Sequence, residues 1–294
     1  MHKFVYYLAY PIIWLFSKLP FRLLYIISDG IFFLFFYLIG YRKEVVLNNL
    51  KLAFPNKTGS ELKRIQKKFF KHFIDTLIEA IKAITISEKS IKKRYKYKNI
   101  ELIDQLYKEG KSVILVSSHY ANWEWVIGLS LQTTIDFYGS YTKIQNKNFE
   151  NLIKDSRSKF GMKCVKSSEI IKGIVKNVKQ QKQGLYLLIS DQSPQLQKNQ
   201  YWDEFLNVNV PIFTGAEMIS KKFDFAVVNM NTTKLKRGYY ESEFQLITNN
   251  AKAESKNEIT KRYLKITEAH IRKQPAYYLW SHKRFKHKGK EPKA

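Results

Sequence analysis

Short apolar runs that alternate with longer amphipathic stretches occupy the middle of this chain and limit the folds that it can adopt. The first run, residues 112–116, reads Ser-Val-Ile-Leu-Val, and a continuous β-branched run of this kind is typical of a strand buried on both faces. We predict further strands at residues 135–141, 163–166 and 185–190, with helices at 123–131, 148–160 and 168–181. This alternation predicts an α/β fold in which a mostly parallel sheet is flanked by helices.

The flanking parts of the chain add elements that make the sheet mixed. Residues 239–247 alternate between apolar and polar side chains, which predicts an antiparallel strand. We also predict helices at residues 60–83, 214–222 and 254–271 and a strand at 223–229. His72, on the first of these helices, is interpreted as an ordinary packing or surface residue. The basic run at residues 89–98 is interpreted as a solvated face, with attraction to anionic headgroups as the alternative.

The first 41 residues are the most apolar part of the chain and predict a hydrophobic helical membrane anchor. Prolines and charges interrupt this segment at Pro11, Lys18, Pro20, Arg22 and Asp29. The interruptions favour one spanning helix or two helices lying in the interface; the alternative is a helical hairpin buried against the rest of the protein. Arg42 and Lys43 favour the cytoplasmic side for the remainder of the chain. We therefore divide the chain into an anchor (1–41), one main domain (42–286) and a basic mobile tail (287–294).

The formal net charge of +26 predicts attraction to a polyanion. Nucleic acid, anionic lipid headgroups, a phosphorylated glycolipid and an acidic carrier protein would all respond to this charge, but no nucleic-acid-binding module is visible. The single cysteine, Cys164, excludes an intramolecular disulfide and fits a reducing, cytoplasm-facing location. The six histidines lack metal-ligand spacing, and neither Gly-x-Gly-x-x-Gly nor a P-loop occurs, so we expect no metal and no cofactor.

His119 and Glu124 lie just after the first predicted strand, separated by four residues. Asn122 is placed to cap the following helix, which puts Glu124 in its first turn. A carboxylate bound to one imidazole nitrogen fixes the tautomer and raises the basicity of the other nitrogen. The pair therefore predicts a general base for a substrate hydroxyl, with a structural hydrogen bond as the alternative interpretation.

A second group of polar residues is predicted at the same edge of the sheet. Asp191 and Gln192 follow the strand at 185–190, and parallel strands bring their carboxyl ends together. Arg157 lies late in the helix predicted at 148–160 and is a candidate to pair with Asp191 or to hold a substrate phosphate. A surface ion pair is the alternative for both Arg157 and Asp191.

The residues around His119 carry a family resemblance. The stretch His-Tyr-Ala-Asn-Trp-Glu at residues 119–124 resembles the His-Phe-Gly-Asn-Trp-Glu signature of the lipid A biosynthesis late acyltransferases. Four further blocks resemble that family in the same order: Arg42-Lys43 with Asn48-Asn49-Leu50 and Ala53-Phe54-Pro55; Arg157 with Gly161; Gly184 through Asp191-Gln192; and the closing run Pro275 to Lys286. The chain departs from the family at Tyr120-Ala121, in place of Phe-Gly, and at residues 203–207, where a Phe-Phe-Gly loop is usual.

The resemblance implies a glycerolipid-acyltransferase-like fold and an inner-membrane enzyme whose catalytic domain faces the cytoplasm. It implies transfer of a fatty acyl chain from acyl carrier protein to a hydroxyl of a lipid A precursor. The catalytic residues would be His119 and Glu124. The substrate-binding residues would be Asn122, Trp123, Arg157, Asp191, Gln192 and Arg284.

Two other functions stay open on the sequence. The first is an acyltransferase of the same fold that acts on another lipid, such as a lysophospholipid or an aminoacyl lipid. The second is a basic membrane- or nucleic-acid-binding protein without catalysis. A protein that binds by charge alone has no need of His119 beside a carboxylate, and we therefore favour the enzyme, without a nucleic-acid partner.

Overall fold

A computed structural model of the protein describes residues 2–197 and 200–291, with side chains from residue 5 onward. The α-helices are α1 (His2–Lys18), α2 (Phe21–Phe33), α3 (Lys43–Ala53), α4 (Gly59–Ala83), α5 (Glu88–Arg94), α6 (Glu101–Lys108), α7 (Lys147–Ser158), α8 (Ile170–Lys179), α9 (Gly215–Phe223) and α10 (Glu258–Lys273). A π-helical turn (Leu34–Ile39) extends α2, and 3-10 helices cover Glu124–Leu131, Ala251–Ala253 and Pro275–Tyr277.

The strands of the main sheet are β1 (Tyr95–Lys98), β2 (Val113–Ser117), β3 (Phe137–Tyr141), β4 (Lys163–Lys166), β5 (Leu185–Ile189), β8 (Ala226–Lys236) and β9 (Tyr239–Thr248), and a separate hairpin contains β6 (Trp202–Phe205) and β7 (Val208–Pro211). Within the described residues, the seven strands of the main sheet lie in the order β1-β9-β8-β2-β5-β3-β4. The β8–β9 pair is antiparallel, and the other pairs of this sheet are parallel. The prediction of an α/β fold with a mostly parallel, mixed sheet is confirmed.

The central strand β2 is buried along its whole length, as its continuous apolar run predicts. It lies between β5 and β8, so both edges and both faces are covered. The helix predicted at 123–131 is present as the 3-10 helix Glu124–Leu131, which is buried from Trp125 to Leu129. The core of the protein therefore surrounds the strand that leads to His119.

Two strand regions were not predicted. Strand β1 falls in the basic run at residues 89–98, where Tyr95 faces the core while Lys96 and Lys98 face outward. The hairpin β6–β7 falls where the chain departs from the family pattern, and its two-residue turn places Leu206 and Asn207 at positive φ. The strands β1, β6 and β7 are each four residues long, too short for their alternation to stand out from their polar surroundings.

The N-terminal helices pack on α4 with one face and expose the other. Leu24 and Ser28 of α2 are buried, and the Ser28 hydroxyl donates a hydrogen bond of 2.7 Å to Asp75. The continuous helix Phe21–Ile39 is long and apolar enough to cross a membrane, and only 22% of its most apolar window is buried. One face of the segment packs against the rest of the protein, as the buried-hairpin alternative predicts. The other face is apolar and exposed, as an anchor in the membrane interface requires.

The closing basic run is folded back onto the domain up to Phe285. Arg284 is 1% exposed and Phe285 is buried. Residues 286–289 are turns, the last two described residues, 290 and 291, have no regular structure, and residues 292–294 of the predicted mobile tail lie outside the described residues.

Candidate active site

The pairing of β2 with β5 brings the two predicted groups of polar residues together. These parallel strands end side by side, with Ser117 opposite Ile189. His119 and Asp191 each follow two residues after their strand, at the carboxyl edge of the sheet. The expectation that they share this edge agrees with the structure, and the site is built from loops 72 residues apart in sequence.

Asp191 is the carboxylate that binds the imidazole of His119. The distance from His119 Nδ1 to Asp191 Oδ1 is 2.8 Å, and the backbone N–H of His119 donates to the same oxygen at 3.1 Å. Burial alone would raise the pKa of Asp191, but the attraction and hydrogen bonds of His119 lower it below its ordinary value. An ionised Asp191 keeps the proton on Nδ1 and leaves Nε2 as the basic nitrogen.

The Nε2 side of the imidazole faces a cavity. The side-chain nitrogen of Gln192 lies 3.3 Å from Nε2, and the ring of Trp123 meets the imidazole edge to face, with 5.4 Å between ring centroids. His119 is about one fifth exposed, whereas Asp191 behind it is 2% exposed. The basic nitrogen is therefore the part of the pair that a substrate can reach.

Glu124, expected to orient His119, is instead bound by Arg157 of α7. The guanidinium makes a two-point contact, with Nη2 2.6 Å from Oε1 and Nε 3.1 Å from Oε2. Burial would lower the pKa of Arg157, but the Glu124 carboxylate raises it above its ordinary value. Arg157 consequently contacts Glu124 rather than Asp191, and the ion pair forms part of the cavity wall a short distance from the imidazole.

The cavity has a volume of about 700 Å³, and both polar and apolar side chains line it. The polar and aromatic lining residues include His119, Trp123, Glu124, Tyr141, Glu150, Arg157, Ser190 and Gln192. The apolar part of the lining comprises Ile144, Met162, Ile170, Ile171, Leu187, Phe213, Ala216 and Ile219. Half-buried Cys164 also lines the cavity. A mixed lining of this kind suits a long hydrocarbon chain with a reactive polar end.

Asn122 has no exposed surface and holds the turn from within. Its Oδ1 accepts the backbone N–H of Trp125 at 2.9 Å, which is the capping contact that the sequence predicts, and its Nδ2 donates to Glu79 at 2.7 Å. The residue before it, Ala121, has a φ of +53°, a conformation that favours glycine, which the family signature has at this position. Asn122 is among the expected substrate-binding residues, yet both ends of its amide are occupied by the fold.

The closing motif supports the Asp191 loop from the other side. The imidazole of His282 accepts the backbone N–H of Ser193 at 3.2 Å, and the Tyr278 hydroxyl donates to the Asp191 carbonyl at 3.3 Å. Burial lowers the pKa of His282 to about 4, so the ring is neutral and can accept this hydrogen bond. Sequence reasoning did not select His282 as a site residue, although its place two residues before Arg284 in the closing motif was a signal.

Arg284 itself points into the protein. Its guanidinium donates to the carbonyl of Pro211 at 3.3 Å and lies 5.2 Å from the ring of Phe205. The expectation that Arg284 binds substrate does not agree with a side chain that is 1% exposed. Its charge is enclosed because the hairpin β6–β7 covers it.

A second polar cluster, which we call the sealed cluster, lies behind the turn, between α4, β8, β9 and α2; its inner members His72, Asp75 and Glu79 are buried, while Asp29 and Arg237 at its rim are partly exposed. It comprises Tyr25, Asp29, His72, Asp75, Glu79, Lys234, Arg237 and Tyr240. His72, interpreted as a packing residue, is buried and has Nε2 3.1 Å from the carbonyl of Ala121. Glu79 binds Tyr25, Tyr240 and Asn122 through its carboxylate. This cluster connects the N-terminal segment to the turn that carries His119.

Comparisons with known proteins identify the family of this chain. The model of the bacterial lipid A biosynthesis acyltransferase family matches residues 1–287. The chain is similar to the lipid A biosynthesis palmitoleoyltransferase of Escherichia coli (strain K12) and to a lipid A biosynthesis acyltransferase of Shigella flexneri. It is 21% identical to each over 277 residues, which cover 94% of this chain and 89% of each relative. The chain therefore belongs to the bacterial lipid A biosynthesis acyltransferase family.

Proposed function

We propose that this protein transfers a fatty acyl chain from an acyl carrier protein thioester to a hydroxyl of a lipid A precursor at the inner membrane. Family membership supports the acyltransferase activity and the lipid A pathway. The observation that carries the chemistry is the imidazole of His119, held by ionised Asp191 at Nδ1 and open to a large cavity at Nε2. No Ser or Cys nucleophile is needed when the acceptor supplies its own hydroxyl.

In the proposed reaction, His119 Nε2 takes the proton from the acceptor hydroxyl as its oxygen attacks the thioester carbonyl carbon. The imidazolium that forms is stabilised by Asp191. When the carbon–sulfur bond breaks, the leaving thiolate takes the proton back from Nε2, and the new ester remains. The start of the 3-10 helix Glu124–Leu131 is our candidate source of backbone N–H groups for the oxyanion.

Glu124 remains a predicted catalytic residue, and its contact suggests an indirect role. By binding Nε and Nη2 along one edge of the Arg157 guanidinium, it orients a cation at the cavity wall. That cation would attract the negative charge that develops on the carbonyl oxygen or a phosphate of the acceptor. We propose that the apolar part of the cavity lining holds the donor acyl chain.

The net charge of the protein supports acyl carrier protein as the donor, and the apolar surface of the N-terminal helices supports a location at the membrane. A net charge of +26 suits both an acidic carrier protein and anionic headgroups. The exposed outer faces of α1 and α2 carry large apolar side chains, including Leu8, Ile12, Leu15, Ile26 and Phe33. These faces would lie in the bilayer interface, with the catalytic domain on the cytoplasmic side.

The test is transfer by the purified full-length protein in lipid nanodiscs. Acyl carrier protein with a labelled acyl chain is offered together with a lipid A precursor, a lysophospholipid or an aminoacyl lipid, and the labelled product is identified by mass spectrometry. We expect transfer to the lipid A precursor and none with His119→Ala. Transfer to another acceptor alone would favour the same fold acting on another lipid. Binding without transfer to any acceptor would favour a protein without catalysis.

A further inference from the structure

A second, smaller cavity lies against the N-terminal segment. It has a volume of about 240 Å³ and is formed by α1, α4, α7 and the 3-10 helix Glu124–Leu131. Its lining is almost entirely apolar, with Ile13, Ala80, Ile81, Ile84, Phe149 and Leu152 among its residues. We call this cavity the α1 groove.

The α1 groove meets the active-site cavity at the Glu124–Arg157 ion pair. Glu124, Ile127, Ile153 and Arg157 line both cavities. A molecule in the groove would therefore lie against the wall of the site that holds His119. The groove and the active-site cavity thus share this wall and lie on either side of it.

The outer side of the groove borders the exposed apolar face of α1. Ile13 lines the groove, while its neighbour Ile12 is 68% exposed on the same helix. If α1 lies in the bilayer interface, a hydrocarbon chain can pass from the membrane into the groove along apolar surface. A donor delivered by a water-soluble carrier protein would have no reason to enter from this side.

Two lysines outside the lining of the groove lie close to it, near the carboxyl end of α1: the Lys159 ammonium is 3.2 Å from the carbonyl of Ile84, which lines the groove. The Lys82 ammonium lies 2.8 Å from the Ser17 carbonyl and 2.9 Å from that of Leu19, and the Lys159 ammonium lies 2.6 Å from the Ile86 carbonyl. Burial lowers the pKa of Lys82, and nearby Lys18, Arg94 and Lys159 lower it further. Neither Lys82 nor Lys159 forms an ion pair with a carboxylate among the described residues, so their positive field is not neutralised.

We propose that the α1 groove binds an acyl chain of the lipid acceptor and that Lys82 and Lys159 attract the acceptor phosphate. The mainly apolar lining, the wall shared with the active-site cavity and the nearby unneutralised cations fit one amphiphile with a hydrocarbon chain and an anionic head. The inference rests on the proposed function and adds the place where the acceptor is held. In this arrangement the donor acyl chain and the acyl chain of the acceptor lie on opposite sides of the Glu124–Arg157 ion pair.

The first test fills the groove. Ser156 lines the groove but not the active-site cavity, so Ser156→Leu blocks only the groove; Asn151→Leu places the same side chain on the exposed face of α7 as a control. We expect Ser156→Leu to raise the KM for the lipid A precursor about tenfold or more, since several buried methylene groups are displaced, and to leave the KM for acyl carrier protein unchanged. Ala80→Val is a milder filling variant for use if Ser156→Leu does not fold.

The second test removes charge. Lys159→Met should raise the KM for the phosphorylated acceptor several-fold but not that for its dephosphorylated analogue, whereas Lys154→Met, on an exposed position of α7, should change neither. An unchanged acceptor KM in a folded groove-filling variant would overturn the proposal. A rise in the KM for acyl carrier protein instead would assign the groove to the donor and would also overturn it. If the wild-type protein transfers nothing to the lipid A precursor, the proposed function itself has failed.

Discussion

Two polar clusters with similar residues lie on opposite sides of the turn at residues 119–124. The open cluster has His119, Asp191, Glu124 and Arg157 and lines a cavity of about 700 Å³. The sealed cluster also has a histidine, carboxylates and an arginine, but His72, Asp75 and Glu79 are each less than 5% exposed. Residue type alone therefore does not distinguish a reactive site from a structural one.

The difference lies in access and in the partners of each charge. In the open cluster Nε2 of His119 has the side chain of Gln192 beside it, at 3.3 Å, and both residues line the cavity that a substrate can enter. In the sealed cluster both nitrogens of His72 are occupied, by the Ala121 carbonyl and by Lys234, and Arg237 joins Asp29 of α2 to Asp75 of α4. We infer that the open cluster performs the chemistry and that the sealed cluster holds the N-terminal segment and the turn in place. Substitutions in each cluster can break or sharpen this division.

The largest effect is expected at the base of the open cluster. His119→Ala removes the group placed to accept the hydroxyl proton, and we expect transfer to fall by about 10³-fold or more. Because His119→Ala also takes the imidazole away from the buried carboxylate of Asp191, transfer is compared at a temperature at which the variant is folded. His72→Gln is the matched variant of the sealed cluster: it should lower the melting temperature while the folded fraction keeps its kcat. The distinction between the open and the sealed cluster is wrong if folded His119→Ala keeps its transfer activity and folded His72→Gln loses it.

The next effect concerns stability. Asp75→Asn takes the carboxylate away from buried Lys234, while Arg237 keeps Asp29, and breaking a buried ion pair costs about 3 kcal/mol. Chemical denaturation of the full-length protein in detergent measures this loss in the free energy of unfolding. Lys111, which pairs with Asp224 at a half-exposed site, provides the control: Lys111→Met should cost less than about 1 kcal/mol. Equal losses would contradict a special role for the sealed cluster.

Asp191→Asn tests which carboxylate orients the imidazole. An amide can bind the wrong tautomer and cannot stabilise the imidazolium, so we expect kcat to fall about 10²-fold with little change in the KM for either substrate. Glu124→Gln should act through Arg157 and therefore alter the pH dependence of kcat less than Asp191→Asn does. A larger change in the pH profile for Glu124→Gln would restore Glu124 as the direct partner of His119.

Glu79 gives the sealed cluster a pH dependence. Burial raises its pKa to about 7, although the hydroxyls of Tyr25 and Tyr240 oppose the shift. A raised carboxyl pKa means that the folded state keeps a proton that the unfolded state has lost, so this contribution to stability decreases as the pH rises. Between pH 5 and pH 7 the loss should be about 2 kcal/mol, and Glu79→Gln should remove it. Identical pH profiles of unfolding for the two proteins would exclude this effect.

The smallest effect is expected at the turn between the clusters. Ala121 occupies the left-handed region at a φ of +53°, which costs an L residue about 1 kcal/mol. Ala121→Gly should relieve this strain, and the greater freedom of glycine in the unfolded chain offsets part of the gain. We expect a change of less than about 1 kcal/mol in the free energy of unfolding and unchanged kcat. A marked loss of activity would show that the Ala121 methyl group, and not only the backbone, positions His119.

Local patterns were sufficient for much of the fold. The buried run at 113–117, the strand at 163–166 and the long helix at 59–83 all have periodicities that depend on neighbouring residues only. Strand β1 and the β6–β7 hairpin were missed because each strand is short and stabilised by distant partners: Tyr95, for example, bonds to Thr232 and Ser242.

The sequence identified the residues of the site but assigned the wrong hydrogen-bond partners to His119 and Glu124. His119, Glu124, Arg157, Asp191 and Gln192 were all expected at one edge of the sheet, and all but buried Asp191 line the active-site cavity. The nearness of Glu124 in sequence suggested that it binds His119, but the 3-10 helix directs it toward α7. Sequence distance is a poor guide to the partner of a side chain at a strand end, since the neighbouring strand supplies closer groups.

The sequence by itself determined the α/β class, the apolar N-terminal segment, the family and the histidine that can act as a base. Only the tertiary structure decided that Asp191 holds this histidine, that Arg157 binds Glu124, and that Arg284 and Asn122 face inward. The reason is that hydrophobic periodicity is a property of adjacent residues, whereas hydrogen-bond partners depend on strand order. Pairing β2 with β5 places two residues 72 positions apart within 2.8 Å of each other.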